Sequence, residues 1–248
     1  LRSKVTEKAW QRIIREQIAS EERVCFWDHC DLDLKKAVVR PTTRYIAEKI
    51  ILEYEWLGTL PIASFYVGLF FDDVCAGVCC FALGSTGPGA DSTAKMYGLR
   101  QKDFAYLMRG ACTHWSPFNS ASYLISRSLK LLPKELKVCI AYSDTDAGEY
   151  GTVYQSCNWL CLGRGKNGLM QLISPNGQIR DQMFINDQAK KNQVSISYMR
   201  QYLLDNGWIF QRKNPKYRYC KILHKIYEKE ILQNINHLIT DYPKRSMD

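Results

Sequence analysis

Asp144 and Tyr154 lie on either side of a polar turn, in the stretch Val138 to Gly165, VCIAYSDTDAGEYGTVYQSCNWLCLGRG. The apolar run Val138 to Tyr142 reads as a strand that stops at Ser143-Asp144-Thr145-Asp146. Gly151 to Asn158 is compatible with a short helix, and Trp159 to Leu162 with a second strand closed by Gly163. This order puts a carboxylate at a strand end and a phenol on the next helix. Such a pair can take one proton and give another, which is what acyl transfer needs. Asp146 and Glu149 compete with Asp144 for the carboxylate role. A turn-capping aspartate and a core tyrosine are the plain structural readings of the same two residues.

A second group lies between a strand and a helix. Ser116-Pro117-Phe118-Asn119 opens a helix predicted over Ser120 to Leu132, with Pro133 near its end. The hydroxyls of Ser116, Ser120 and Ser122, the side chain of Asn119 and the free N–H groups of the first turn make a seat for an anion such as a diphosphate. Ordinary N-capping by Asn119 or Ser120 explains the segment equally well. Arg109, on the preceding strand-like run Asp103 to Trp115, can reach an anionic ligand or form a salt bridge.

Other elements must hold these groups in place. Val5, Ala9, Ile13, Ile14 and Ile18 have the period of an amphipathic helix over Thr6 to Ile18. Arg40-Pro41-Thr42-Thr43 reads as a helix start, and Ile46, Ala47, Ile50, Ile51, Tyr54 and Leu57 continue one face as far as Gly58. Ser64 to Phe71 and Val74 to Leu83 form a predicted hairpin about Asp72-Asp73, and Gly84 to Ala90 a loop. Leu169 to Ile173 and Gln178 to Phe184 flank the turn Ser174-Pro175-Asn176-Gly177. Ser195 to Leu204 reads as helix, Trp208 to Phe210 and Tyr217 to Cys220 as strands, and Tyr227 to Ile239 as a last helix.

The 248 residues are 46% hydrophobic and 24% charged, enough apolar material for one large domain and too little charge for a disordered chain. No run reaches the roughly 20 apolar residues of a membrane helix, and no basic segment precedes an apolar one as in a signal peptide. The sequence opens at Leu1 rather than Met, which is compatible with removal of a tag or of an upstream segment. Ten cysteines occur without a C-x-x-C pair, which favours buried reduced thiols over a zinc site. The net charge of +9 favours anionic partners.

The blocks EYEWLG (Glu53 to Gly58), YVGLFFDDVCAGVCCFA (Tyr66 to Ala82), LMRGACTHWSPFNSASYLISRSLKLL (Leu107 to Leu132), YSDTDAGEYGTVYQSCNWLCLGRG (Tyr142 to Gly165) and NPKYRYC (Asn214 to Cys220) together resemble the Mom family of phage DNA-modification proteins. That family has a GCN5-related N-acetyltransferase (GNAT) fold. The resemblance implies an α/β (α+β) chain with a mixed, splayed central sheet flanked by helices. Around it we expect an N-terminal helical extension over 1–37, a catalytic core over 38–184 and a basic DNA-contacting C-terminal region over 185–248. It also implies conversion of adenine in DNA to an N6-carbamoylmethyl derivative, in the host bacterial cytoplasm during infection, which shields phage DNA from restriction. Arg109, Ser122, Asp144 and Tyr154 match functional positions of the family. The resemblance implies iron as well, with its ligands unassigned. Where other members carry a histidine near the end of the first core helix, this chain has Tyr54-Glu55-Trp56, and only His114 or Glu53 could substitute.

The chemistry of adenine adds requirements. The N6 lone pair is delocalised into the ring, so its modification needs a base for the departing proton and a positioned electrophile. Asp144 is the expected base and Tyr154 the expected acid. A stacked adenine must be flipped or single-stranded, with an aromatic to hold it; Trp56 leads, ahead of Tyr66, Trp115 and Phe118. From Lys190 to Lys229 there are ten Lys and Arg against two Asp and Glu, with interleaved aromatics. Arg212, Lys213, Lys216 and Arg218 are therefore expected to grip DNA. The donor is acetyl-CoA or another acyl or aminoacyl carrier. A carbamoylmethyl group contains glycine-like atoms, which favours a glycine-derived one. A conventional acyl-CoA-dependent N-acyltransferase acting on a protein or small amine is the alternative, and a non-catalytic DNA-binding protein is a third.

Overall fold

The computed structural model describes residues 10–20, 32–84, 89–165, 168 and 170–244. Helix α1 spans Trp10–Ser20, strand β1 Val38–Pro41 and helix α2 Arg44–Tyr54. Thr43 caps α2 by accepting from Ile46 N at 3.3 Å. The expected hairpin is β2 (Phe65–Phe71) and β3 (Val74–Leu83), and Asp72 turns it with φ of 50°. Helix α3 (Ala90–Tyr97) then leads to β4 (Phe104–Cys112), α4 (Ser120–Ser128), β5 (Val138–Ser143), α5 (Thr152–Ser156) and β6 (Leu160–Arg164). The last third holds β7 (Met170–Ile173), β8 (Ile179–Asp181), α6 (Met183–Lys191), α7 (Ile196–Asp205), β9 (Ile209–Arg212), β10 (Tyr217–Ile222) and α8 (Glu228–Ile235).

Seven strands form the central sheet in the order β1-β2-β3-β4-β5-β10-β6, and β8-β7-β9 make a separate small sheet. The central sheet is antiparallel except for the β4–β5 pair, so it is mixed as expected. Along β5, side chains alternate between two cores, because successive Cβ atoms point to opposite faces. Cys139 and Ala141 join Val67, Leu69, Phe81, Leu124 and Trp159 on the face covered by α4. Val138 and Ile140 join Tyr97, Phe104, Ile231 and Ile235 under α3 and α8. A third cluster seats Ile18, Ala47, Ile50 and Ile51 of α1 and α2 on Val78, Cys80 and Ala111.

The feature that matters most lies between β4 and β5. They pair in parallel only from Phe104↔Val138 to Leu107↔Ala141. At that point β4 bulges: Cys80 of β3 faces Arg109 while Phe81 faces Leu107, leaving Met108 unmatched. A bulge bends its strand. Beyond it β4 runs on to Cys112 and β5 to Ser143 without pairing, and a wedge opens between them. The sheet is thus splayed.

Several elements differ from expectation. VVRP at 38–41 is a strand, paired to β2, where only a helix start was read. Helix α3 occupies the end of the predicted glycine loop and continues beyond it, and α6 takes over the end of a predicted strand. The expected boundary at 184/185 falls inside α6, and β10, assigned to the C-terminal region, lies inside the central sheet between β5 and β6. The start of the expected N-terminal helix, Thr6 to Ala9, lies outside the described residues, and the rest of it falls within α1. Of the cysteines, eight described ones are free thiols, and Cys79, Cys80, Cys112, Cys139, Cys161 and Cys220 are buried. No described helix is long and apolar enough to cross a membrane.

Candidate active site

The wedge holds a cavity of about 160 Å³. Val78, Cys79, Leu107, Ala111, Leu124 and Ile125 give it an apolar wall, and Ser143, Glu149 and the segment Tyr150 to Tyr154 a polar rim. The rim is locked from behind. Tyr219 of β10 donates its hydroxyl to Tyr150 O at 2.6 Å, and Gln155 Nε2 donates to the same carbonyl at 3.0 Å. Gly151 has φ of 71°, and a Cβ there would come within 2.7 Å of Tyr219 Oη, so only glycine fits.

Three carboxyls and two cations meet behind this rim. Glu55, at the C-cap of α2, accepts from Leu57 N at 2.9 Å and lies 3.6 Å from Arg109 Nε. Burial raises its pKa above the ordinary range in spite of Arg109. Asp144 is 3% exposed; it accepts from Asp146 N at 3.1 Å and pairs with Lys216 Nζ at 3.0 Å. Glu149 lines the cavity itself. Burial, helped by the charges of Glu55 and Asp144, pushes its carboxyl up to about 8, against the pull of Lys216 and Arg109. Tyr154 lies between Trp159 and Tyr219, with ring centroids 5.2 Å from each. Burial and then the charge of Glu149 lift its hydroxyl well above the ordinary tyrosine range.

The structure therefore brings Tyr154 and Glu149 to the cavity and sets Asp144 behind them, bound to Lys216. Asp146 accepts from Asn214, at 2.6 Å from its Nδ2. Arg109 turns to Glu55 rather than to the helix N-terminus. At that N-terminus the side chains fold back on their own loop: Ser116 donates to Thr113 O at 2.8 Å, Ser120 to Pro117 O at 2.6 Å and Ser122 to Asn119 O at 3.0 Å. Asn119 is left-handed, with φ of 68°, and makes no side-chain cap. Ser120 N donates to Pro117 O at 3.2 Å and Tyr123 N to Asn119 O at 3.0 Å, so the first-turn N–H groups of Ala121 and Ser122 are what remain for an anion.

The expected base-holding aromatics are dispersed. Trp56 is half-buried with Lys213 Nζ 4.8 Å over its ring. Tyr66 donates to Ala63 O at 3.0 Å beside the α2 core. Trp115 packs edge-on against Phe71, and Phe118 is 89% exposed. The expected DNA-gripping cations are divided as well. Arg212 is exposed, Lys216 serves Asp144, and Arg218 reaches Met96 Sδ at 3.4 Å.

Sequence reasoning missed Glu55 as a site residue and did not bring the helix α1 to the cavity. Gln11 lines the cavity and donates to Gly110 O at 2.7 Å, and Arg15 Nη2 donates to Ser116 O at 2.8 Å. The signal for Glu55 was its place in EYEWLG, a carboxylate at the end of an apolar helix face.

Iron is poorly served by these residues. Among the described residues no three His, Cys, Asp or Glu side chains converge as a ligand set. His114 Nδ1 lies 2.8 Å from Tyr54 Oη, and Glu53 is exposed on α2. The described side chains do not fit the group.

Among solved structures the chain is similar to FeeM, an N-acyl amino acid synthase from uncultured soil microbes. The two share 16% identity with a TM-score of 0.42, over 79% of this chain and 97% of that one. No curated protein sequence matches. The Mom protein family, by contrast, matches from residue 36 to residue 244, across the splayed sheet, the wedge and everything inserted after it. The chain belongs to the Mom protein family.

Proposed function

We propose that this chain is a transferase that attaches a carbamoylmethyl-type, glycine-derived group to the N6 amine of adenine in phage DNA, protecting that DNA from host restriction. One observation carries the chemistry: the parted strands hold a cavity whose polar rim brings the Glu149 carboxyl, pushed up to about 8 by burial and neighbouring charge, beside the half-buried phenol of Tyr154. Family membership supports the substrate. The reaction takes place in the bacterial cytoplasm.

The carrier seats its anionic part on the first turn of α4, between Ser116 and Ser122, and its electrophilic carbon in the wedge. An acyl or aminoacyl carrier has the required form; acetyl-CoA alone lacks the nitrogen of the product. A flipped or single-stranded adenine enters from the rim, against Trp56 or a neighbouring ring. The bond forms between N6 and the carrier's acyl carbon as that carbon leaves the carrier, giving an N6-glycyl adduct; the glycyl amine then displaces the amide nitrogen at C6 of the adenine, which gives the isomeric carbamoylmethyl product. Glu149, as carboxylate, takes the N6 proton, and Tyr154 gives its proton to the departing carrier atom. The two steps are coupled. The charge of Glu149 is one cause of the raised Tyr154 pKa, so neutralising Glu149 makes the phenol a readier donor. A proton passed from Glu149 to the phenolate restores both. A base with a pKa near the working pH is the efficient choice. Asp144 holds Lys216 beside the carboxyl group and so tunes it.

The test is mass spectrometry of nucleosides from cells expressing the chain. A modified deoxyadenosine is expected. An unmodified pool, with acetyl-CoA consumed on a protein or small amine, would replace this reading with the conventional acyltransferase. Protection from restriction that survives E149Q and Y154F would replace it with a non-catalytic DNA-binding role.

A further inference from the structure

Ser143 is the last residue of β5, two places beyond Ala141, where pairing with β4 ends. Side chains alternate along a strand, so Ser143 shares the face of Cys139 and Ala141. Cys79, Leu107, Leu124 and Ile125 belong to the core on that face and line the cavity, and Ser143 lines it with them. On the other edge of β5 its backbone pairs with Tyr217 of β10, which fixes its place. Ser143 is 1% exposed, and its Oγ has no hydrogen-bond partner. Among the described residues it is the one lining the cavity whose buried side-chain polar atom is left in this state. A buried hydroxyl without a partner costs stability, so its retention calls for a group that completes it.

We propose that Ser143 is a further catalytic residue, donating its hydroxyl to the carbonyl oxygen of the group being transferred. The proposal rests on the transfer reading above, in which Glu149 and Tyr154 are taken up with protons and neither serves that oxygen. When N6 attacks the acyl carbon, the N–C bond forms and the carbon–oxygen π pair moves onto oxygen. The pair returns as the bond to the carrier breaks. Val78, Leu107, Ala111 and Leu124 give the developing anion no solvation. A fixed donor is worth more in such surroundings than in water. Ser143 is held by β10 before any carrier arrives, so no reorganisation is needed at the moment of reaction.

The same oxygen becomes charged a second time. As the glycyl amine bonds to C6, the electron pair of the breaking bond between C6 and the amide nitrogen spreads from that nitrogen onto the carbonyl oxygen. The amine proton passes to Glu149 and on to the departing nitrogen, which ends as the NH2 of the carboxamide. One donor at one oxygen therefore serves both steps. Adenine itself is the poorer partner for the hydroxyl. A donor on a ring nitrogen would draw the N6 lone pair further into the ring and weaken the nucleophile.

The test is the initial rate at which modified deoxyadenosine accumulates in cells expressing equal amounts of folded protein, read by nucleoside mass spectrometry, together with melting curves of the purified proteins. S143A should be about 100- to 1,000-fold slower, the usual effect of removing one donor from a developing oxyanion. It should also melt at or above the wild-type temperature, because the unpaired hydroxyl is gone. S143T keeps the donor and should recover most of the rate. A wild-type rate in S143A would overturn the proposal. A lower melting temperature in S143A would overturn it too, since the hydroxyl would then be bonded within the fold. So would a glycyl group found on Ser143 by intact-protein mass, which would make the residue a nucleophile. Failure of the adenine reading looks different. A wild type that leaves deoxyadenosine unmodified and consumes acetyl-CoA on a protein or small amine still has an acyl oxygen to stabilise, and S143A should slow that turnover by the same factor. No acyl transfer by the wild type to either acceptor would overturn both.

Discussion

Replacing Glu149 by glutamine should make the protein more stable, and increasingly so as pH rises. The folded carboxyl titrates at about 8, against an ordinary value of 4.5. A carboxyl whose pKa is raised by folding favours the folded state while it stays protonated. Its contribution is fully present below the unfolded value of 4.5 and is lost as pH rises through about 8. At about 1.4 kcal/mol per pH unit, that gap is worth about 5 kcal/mol. The figure is a ceiling, because Glu149 keeps some contact with solvent through the cavity. Glutamine cannot ionise, so E149Q escapes the loss. Urea denaturation of both proteins between pH 5 and 9 gives the answer. The stability difference should widen by about 1 kcal/mol per pH unit up to pH 8 and then level off. Parallel curves would mean that the carboxyl is not held in the low-dielectric group with Glu55 and Asp144, and the proton-transfer argument would lose its base.

The remaining predictions concern the same group. Lys216→Met leaves Asp144 buried without its cation, which should cost about 3 kcal/mol and move the pH–rate midpoint of Glu149 upward, as read from denaturation and single-turnover profiles. Arg109→Met removes the cation beside Glu55 and should shift the same midpoint upward, while Arg109→Lys should restore much of it. Gly151→Ala forces a Cβ against the Tyr219 ring at a left-handed position, and should lose at least about 2 kcal/mol of stability and most activity. Tyr154→Phe should lower the transfer rate about 100-fold or more with little change in duplex affinity.

What could be read from the sequence was local. The hairpin of β2 and β3 announced itself because Phe65–Leu83 is apolar on both sides of Asp72-Asp73. The strand, turn, helix, strand order from Val138 to Arg164 was visible for the same reason. Helix α3 was not, because ADSTAKMY has a weak apolar face and is held by Ala94 and Tyr97 packing on Ile231 and Ile235, far along the chain. Helix α6 was hidden because Ile185 and Ala189 are its only buried side chains. β10 reads as an ordinary short strand, and its insertion between β5 and β6 is a long-range event with no local signature.

The site divides in the same way. Tyr154 and the carboxylate cluster after Ser143 could be named from spacing. The choice between Asp144 and Glu149 depends on Lys216, which claims Asp144 from a different strand. It depends equally on Glu55, whose charge raises Glu149 from the end of α2. No window of sequence contains those groups together.

The central claim is that an adenine amine loses its proton to Glu149 in the wedge between β4 and β5. The most direct measurement is nucleoside mass spectrometry of DNA from cells expressing equal amounts of folded wild type and E149Q. The account predicts a modified deoxyadenosine from the wild type and its loss in E149Q, with duplex binding intact. Equal modification by both proteins would contradict it.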